Sequence, residues 1–297
     1  MKQRTKIQVI IITYNRPNTV VAAIDSVLGQ TYPNVELIVS DNSTNEATYN
    51  VLSNLKNWGS YMYVRRNPPL SGVEHLVRVM NEVTSDYFMV FHDDDKMLPD
   101  MVEELYKAIS ADKSLSAVGS NAYAVKNGKK KTCFLQNNIY IPNGEDFIKH
   151  YVDKTIAPFP SYMYNRQLLG ELRPDYENQG GKYCDVSFLF NVTQSGPIVY
   201  VGKPLMVYNI HPGQDSGSFD FLKHIQLTNY LLRNIDDREL LNKYRLYQIY
   251  RNAITRDKSN KIDFRPQLVR LFCAYSAYTI FIKYSIRVIQ DKIIHWI

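Results

Sequence analysis

The sequence predicts an α/β fold, a mostly parallel sheet flanked by helices, followed by a helical C-terminal region. Three observations lead there. Short apolar runs alternate with stretches of helical periodicity through the first half of the chain, the order a parallel sheet with crossover helices requires. The first run, Ile7–Thr13, is apolar almost throughout, as expected of a strand buried on both faces. From Phe219 onward the pattern is helical to the end.

The elements follow in order. After strand Ile7–Thr13, Asn18 is placed to cap a helix whose apolar positions Val20, Ile24, Val27 and Leu28 recur at helical spacing, and Gly29 stops it. Val35–Ser40 reads as a strand, Thr44–Trp58 as a helix and Tyr61–Arg65 as a short strand. Gly72–Thr84 is helical, with Leu76, Val79, Met80 and Val83 on one face. Tyr87–Phe91 is a further buried strand, ending at His92-Asp93-Asp94-Asp95. Pro99 suits a first helical turn, where its missing N–H costs little, and that helix runs to about Ser110. Leu115–Asn121 is the fifth strand and Gly128–Lys131 a hairpin tip. Ala157–Asn165 has strand character, Tyr183–Gln194 is helical, and Ile198–Val201 and Pro204–Ile210 are two short strands before a turn-rich stretch, His211 to Ser218. Asp263–Pro266 is a helix break, because the residue before proline disfavours helix.

With 297 residues the chain makes one large domain or two small ones, and the expected division is 1–218 and 219–297. A composition 45% hydrophobic and 22% charged excludes disordered and collagen-like classes. Cys133, Cys184 and Cys273 lie far apart, which excludes a disulfide scaffold or cysteine zinc knuckle and points to a reducing compartment. The N-terminal apolar run is too short for a signal h-region or a membrane span, and Leu271 to Ile282 also falls short of spanning. The expected location is cytoplasmic, at the inner face of the membrane if the tail meets lipid.

The net charge of +6 is uneven. Residues 1–219 hold 21 Lys/Arg against 22 Asp/Glu, whereas residues 220–297 hold 14 against 7. A near-neutral body with a basic tail argues against nucleic acid as a partner and favours a catalytic body with an appended contact to an anionic surface.

Ligands of open parallel sheets bind at the carboxyl ends of the strands. Three polar clusters fall there: Thr13-Tyr14-Asn15-Arg16, Asp41-Asn42-Ser43, and His92 to Asp95. Neither G-x-G-x-x-G nor G-x-x-x-x-G-K-[ST] occurs, so a dinucleotide fold or a P-loop is disfavoured. Two readings of the acidic run stand. Either a divalent cation uses it to clamp a phosphate group, or it is a solvated loop whose acids complement the dipole of the next helix.

The segment IQVIIITYNRPNTVVAAIDSVLGQTYPNVELIVSDNST resembles the opening of family 2 glycosyltransferases of the GT-A fold. SDYFMVFHDDDKMLPDMVEEL resembles that family's aspartate metal motif with its following proline. GKYCDVSFLFNVTQSGPIVYVGKPLMVYNIHPGQDS resembles the acceptor half. The resemblance, in family order over residues 7–218, implies an inverting transferase. It implies that Thr13, Tyr14, Asn15 and Arg16 line the nucleotide pocket with Asp93, and that Asp41 meets the base or ribose. It implies that Asp94 and Asp95, with His211, hold Mn²⁺ or Mg²⁺ on the diphosphate, and that Asp185 is the general base. The implied partners are a nucleotide-sugar donor and a glycan or lipid-linked saccharide acceptor of bacterial surface polysaccharide synthesis.

The chain departs from the family pattern at three places. His92 occupies the first position of Asp-x-Asp-Asp, which leaves open which of Asp93, Asp94 and Asp95 touches the metal. Cys184-Asp185 stands where relatives often have Glu-Asp, and Asp41-Asn42 where Asp-Asp is frequent. Independently of the family, a carboxylate within hydrogen-bond reach can take the proton of an acceptor hydroxyl as the glycosidic bond forms. Asp185 also reads as an N-terminal helix charge, and His211 as a polar loop residue followed by Asp215 and Ser216.

Arg65-Arg66 reads as a phosphate contact or an exposed strand end, and Lys129–Lys131 as a solvated hairpin tip. Trp58 and Tyr63 read as packing residues, and Tyr140, Tyr162 and Tyr164 as candidates to stack on sugar rings. In the tail, Leu268, Leu271, Phe272, Tyr275, Tyr278 and Ile282 form an apolar stripe flanked by Arg270, Lys283 and Arg287. That stripe suits packing on the body, a homo-oligomer contact, or an anionic membrane surface. Two rival classes are a nucleotidyltransferase and a non-catalytic membrane-surface scaffold. The first calls for a Gly-rich loop after strand one, which Thr13–Pro17 does not supply; the second sits poorly with retained Asp41, Asp94, Asp185 and His211.

Overall fold

The computed structural model describes residues 4–133, 137–171, 178–211, 214 and 220–240. In chain order the elements are β1 (Ile7–Thr13), α1 (Pro17–Leu28), β2 (Val35–Asp41), α2 (Ala47–Ser53), β3 (Met62–Arg65), α3 (Gly72–Asn81), β4 (Tyr87–His92), β5 (Lys96–Met97) and α4 (Met101–Ala111). Then come β6 (Ala117–Lys126), β7 (Lys129–Thr132), β8 (Ile139–Ile141), α5 (Gly144–Val152), β9 (Met163–Asn165), α6 (Arg166–Leu169), α7 (Cys184–Ser195), β10 (Ile198–Ile210) and α8 (Phe221–Leu232).

The strands form one sheet in the order β3-β2-β1-β4-β9-β6-β10-β5, with β7 added to β6 and β8 to β10. Strands β3, β2, β1 and β4 run parallel, as do β6 and β10. β9 is antiparallel to both β4 and β6 and joins the two parallel sets.

Alternation along β1 sends Ile7, Val9 and Ile11 to one face, where they pack with Val20, Ile24 and Val27 of α1 and Leu105 and Ile109 of α4. Ile10 points to the other face, against Leu76 and Val79 of α3, Phe147 of α5, Phe188 of α7 and Leu227 and Leu231 of α8. The first helix of the C-terminal region therefore packs on protein. The stripe at 268–287, the break at 263–266, Cys273, Asp215 and Ser216 lie outside the described residues. Among the described residues no helix is long and apolar enough to cross a membrane.

Several expectations are corrected. Helix α1 begins at Pro17, with Arg16 in the cap position and no side-chain cap, because proline presets the helical φ one residue before Asn18. The helix expected over Thr44–Trp58 shrinks to α2. Thr44 is drawn into a loop by Asn15, and residues 54–60 continue as turns such as Trp58 N–H to Leu55 C=O and Ser60 N–H to Asn57 C=O. Pro99 lies in the turn before α4, its carbonyl accepting from Thr31 N–H at 2.8 Å.

Only Met163–Asn165 of the expected Ala157–Asn165 strand pairs; Phe159–Ser161, which contains Pro160, forms a 3₁₀ turn. The two strands expected around Pro204 are one, β10, with a register shift at the proline. Tyr162 and Tyr164 are fully buried and stack on each other, so neither reaches a sugar ring. The hairpin expected at Gly128–Lys131 is present but turns earlier: Asn127 and Gly128 take positive φ, 50° and 76°, as a two-residue β-hairpin turn requires, and Lys129–Lys131 belong to strand β7 rather than to the tip.

A polar cluster lies beneath the β2–β3 edge. His75 of α3 is buried, and its Nε2 lies 2.7 Å from Ser40 Oγ, which also accepts from Arg66 Nε at 2.9 Å. Burial, aided by the Arg66 charge, pulls the His75 pKa from 6.5 down to about 4. The native ring stays neutral while the unfolded chain takes up a proton, so stability falls as pH drops from 6.5 toward 4. Comparison of urea midpoints at neutral and acidic pH is expected to show the parent losing about 2 kcal/mol more than His75→Gln across this window. Equal losses would remove His75 as the cause.

Candidate active site

β1 and β4 are adjacent parallel strands, and their carboxyl ends bring the first polar cluster against the acidic run. Thr13 Oγ1 donates to Asp93 Oδ2 at 2.7 Å. Arg16, at the start of α1, donates through Nη1 to Asp93 Oδ1 and to Asp94 Oδ2, each at 3.0 Å. From the other side, the end of β10 closes the group. Asn209 N–H donates to Asp95 Oδ1 at 2.9 Å, the Asn209 amide donates to the Asp94 carbonyl at 2.6 Å, and His211 Nε2 lies 3.0 Å from Asp94 Oδ2. Strand β5, paired antiparallel to β10, holds the chain immediately after the turn.

The electrostatics follow from burial. Asp93 and Asp95 are almost entirely buried. Burial raises the Asp93 pKa against the lowering influence of Thr13 and Arg16. It pushes Asp95 from 3.8 up to about 8, with the charges of Asp94 and Asp93 adding and the Asn209 N–H opposing. Asp95 Oδ2 is buried without a hydrogen-bond partner. His92, whose ring stacks near Phe159, is held below its usual value by burial. One donor atom from each of His92, Asp94 and Asp95 lies within 4.8 Å of the others, a spacing compatible with shared ligation of a cation.

The remaining expected residues sit alongside. Tyr14 is half-exposed. Asn15 takes a positive φ of 53°; its N–H donates to Ser43 Oγ at 2.7 Å and its side-chain Oδ1 accepts from Thr44 N–H at 3.0 Å, which ties the β1 loop to the β2 loop. Asp41 is fully buried and accepts from Tyr63 OH at 2.6 Å, Arg65 at 3.2 Å and Ser43 N–H at 2.8 Å. Arg65 and Arg66 do not form a free strand end: Arg65 pairs with Asp41 and Glu46, and Arg66 with Glu82. Asp185 stands in the first turn of α7, accepting from Val186 N–H at 2.8 Å, and its charge acts on His92.

The structure therefore joins Thr13, Arg16, Asp93, Asp94, Asp95 and His211 in one network, with Asp185 on a separate element facing it through His92. Sequence reasoning missed Asn209, whose place in a long strand carries no local signal, and the placement of the His92 ring beside Asp94 and Asp95. It also missed Tyr63 as the partner of Asp41.

The chain and its fold resemble known proteins. The chain matches a model of glycosyl transferase family 2 over residues 8–173. A Haemophilus influenzae protein described as an uncharacterized glycosyltransferase is 22% identical, over 96% of this chain and 93% of that protein. Among solved structures, residues 1–349 of S. aureus TarS superpose with a TM-score of 0.63 at 14% identity, covering 88% of this chain and 77% of that fragment. The mannosyltransferase PcManGT of Pyrobaculum calidifontis gives 0.55 at 15% identity, covering 98% and 89%. The ordered motifs, the sheet that positions them and the match across more than half of the sequence together place this chain in glycosyl transferase family 2, as a GT-A-fold glycosyltransferase.

Proposed function

We propose that the chain is an inverting, metal-dependent glycosyltransferase. It moves a sugar from a nucleoside diphosphate sugar to a hydroxyl of a glycan or lipid-linked saccharide in bacterial surface polysaccharide synthesis, at the inner face of the cytoplasmic membrane. The observation that carries the reading is the convergence of Arg16, Asp93, Asp94, Asp95 and His211 at the strand ends, with Asp185 across from them. TarS with UDP and with UDP-GlcNAc, and PcManGT with GDP-Man and Mn²⁺, support the donor class. The basic excess of residues 220–297 supports the membrane location.

The residues fit a divalent ion. Asp95 Oδ2 is a buried oxygen without a hydrogen bond, and carboxylates suit Mg²⁺ or Mn²⁺. Asp94, Asp95 and His92 would hold the ion, with His211 at Asp94 as a further donor. When bound it supplies positive charge beside the diphosphate. Thr13 and Arg16 orient Asp93 and Asp94. Asp185 accepts the proton of the acceptor hydroxyl as its oxygen bonds to the anomeric carbon. The bond from that carbon to the diphosphate breaks on the opposite face, and the electron pair leaves with the nucleotide. One displacement inverts the configuration.

Titration calorimetry of UDP and GDP with and without Mn²⁺ tests the metal assignment: Asp94→Ala is expected to lose the metal-dependent part of binding and keep its fold. Unchanged metal dependence would overturn it. For the base, Asp185→Asn is expected to lower transfer by about a hundredfold or more with nucleotide affinity little changed, because only proton acceptance is removed. Transfer at the parent rate would exclude Asp185; Asp175 and Glu177, outside the described residues, would then be the acids to examine.

Asp95 yields a stability test. Its native pKa of about 8 lies above the 3.8 of an unfolded chain, so its contribution is complete at low pH and is lost as pH rises toward 8. Without metal, Asp95→Asn keeps the acceptor for Asn209 N–H and removes that loss. Its thermal midpoint is expected to exceed the parent's by several degrees at alkaline pH and by little at acidic pH. A lower midpoint than the parent's at alkaline pH would refute the assignment.

A further inference from the structure

The β6–β7 ribbon carries four lysines that the reaction scheme does not use. In its register Lys126 stands opposite Lys129, Val125 opposite Lys130 and Ala124 opposite Lys131. Side-chain alternation puts Lys126, Lys129 and Lys131 on one face. Lys130 is on the other, its ammonium 3.5 Å from the centroid of the Tyr123 ring. Like charges directly opposite destabilise a ribbon, and among the described residues none of the four lysines forms an ion pair.

The place of the ribbon gives the cluster meaning. Strand β6 runs parallel to β10 with Val125 beside Asn209 and Lys126 beside Ile210. A row Lys130–Val125–Asn209 thus crosses three strands, which sets the Lys130 backbone about 10 Å from that of Asn209. Asn209 is the residue that donates to Asp94 and Asp95. The positive ribbon therefore stands at the carboxyl ends of the strands, beside the acidic turn.

We propose that this ribbon binds the acceptor through its charge, and that the acceptor is a glycan whose repeating units carry phosphodiesters. The proposal rests on the glycosyltransferase reading above and names its acceptor class. Lys129 and Lys131, two residues apart on one face, are spaced by about 7 Å, a ladder suited to repeated single charges rather than to one compact anion. A lipid surface fits less well, because interfacial docking sets apolar or aromatic side chains beside basic ones. Among the described residues none of the exposed large apolar side chains lies on the ribbon, and its one aromatic ring, Tyr123, is partly buried with the Lys130 ammonium over it. The exposed Tyr140 is on β8, which pairs with the opposite end of β10.

The test compares the full chain with a fourfold variant, Lys126→Gln, Lys129→Gln, Lys130→Gln and Lys131→Gln. The probe is a fluorescently labelled glycerol-phosphate oligomer, followed by anisotropy at low and high salt. UDP binding with Mn²⁺ reports separately on the donor site and on folding. The parent is expected to bind the oligomer with an affinity that falls with salt, and the variant to bind it about tenfold or more weakly with UDP affinity unchanged. Equal oligomer binding by both proteins, or none by the parent, would overturn the proposal and leave the lysines as guards of an exposed sheet edge. Vesicles of phosphatidylglycerol supply the other arm: a variant that loses vesicle binding but keeps oligomer binding would assign the ribbon to lipid instead. A parent that binds the oligomer through these lysines but neither UDP nor GDP would strike the donor reading.

Discussion

Three successive carboxylates in a largely buried turn can be kept in a fold only if donors and cations meet them from more than one side. Here Thr13 and Arg16 arrive from the end of β1 and the start of α1, while Asn209 and His211 arrive from β10. Strand β1 and strand β10 lie on opposite sides of β4 and β9 in the sheet. The acidic turn thus needs both flanks of the sheet in register, and the sheet geometry is what delivers them. Arg16 is shared between Asp93 and Asp94, so any cation that enters must compete with a guanidinium already present. Asp95 Oδ2, which Arg16 does not bond, is buried without a hydrogen bond, with the His92 ring nitrogen 4.0 Å away.

A second constraint acts on the loops that rim the pocket. Asn15 bridges to Ser43 and Thr44, and Asn42 holds residue 70 through a reciprocal pair, its amide to the Leu70 carbonyl at 2.9 Å and Leu70 N–H to its own oxygen at 2.8 Å. Asp41 anchors Tyr63 and Arg65 of the neighbouring strand. These contacts join the β1, β2 and β3 ends through side chains rather than through a glycine-rich backbone cradle. That is why the familiar phosphate-loop motifs are absent although the strand ends are well ordered by hydrogen bonds.

The parts of this structure that were legible in the sequence are those governed by one strong local rule. Strand β1 was read to the residue and β2 and β4 to within one, because strands buried on both faces leave an apolar run with abrupt polar ends. Gly128 marked the hairpin because few residues accept positive φ, although its turn partner Asn127 was not read and the tip was placed too late in the chain. Where several rules compete, the reading slipped. Helix α2 lost its first residues to side-chain bonds that Asn15, a residue distant in sequence, makes with Thr44. Tyr162 and Tyr164 look like ring-stacking surface aromatics from composition alone, and only the insertion of β9 between β4 and β6 buries them. The Ser71-x-x-Glu74 box that starts α3 was a usable signal that went unread. In the site, the acids and basic residues were legible by type, while Asn209 was not, because its role exists only through pairing between elements more than a hundred residues apart.

Strand β9 has a bearing on how the chain reaches this state. Its three residues are antiparallel to both β4 and β6 and are the seam between the two parallel sets of strands. On a chain emerging from the ribosome, β1 to β4 are complete by residue 92, yet the outer edge of β4 has no neighbour until residues 163–165 appear. During that interval an apolar strand offers its backbone N–H and C=O groups to any passing strand, the circumstance that favours mispairing and aggregation. Closing the seam late also spans a long loop, which slows assembly. The working site is built on both sides of that seam, so it comes into being only in the last stage of folding, after the chain has passed through its most vulnerable one.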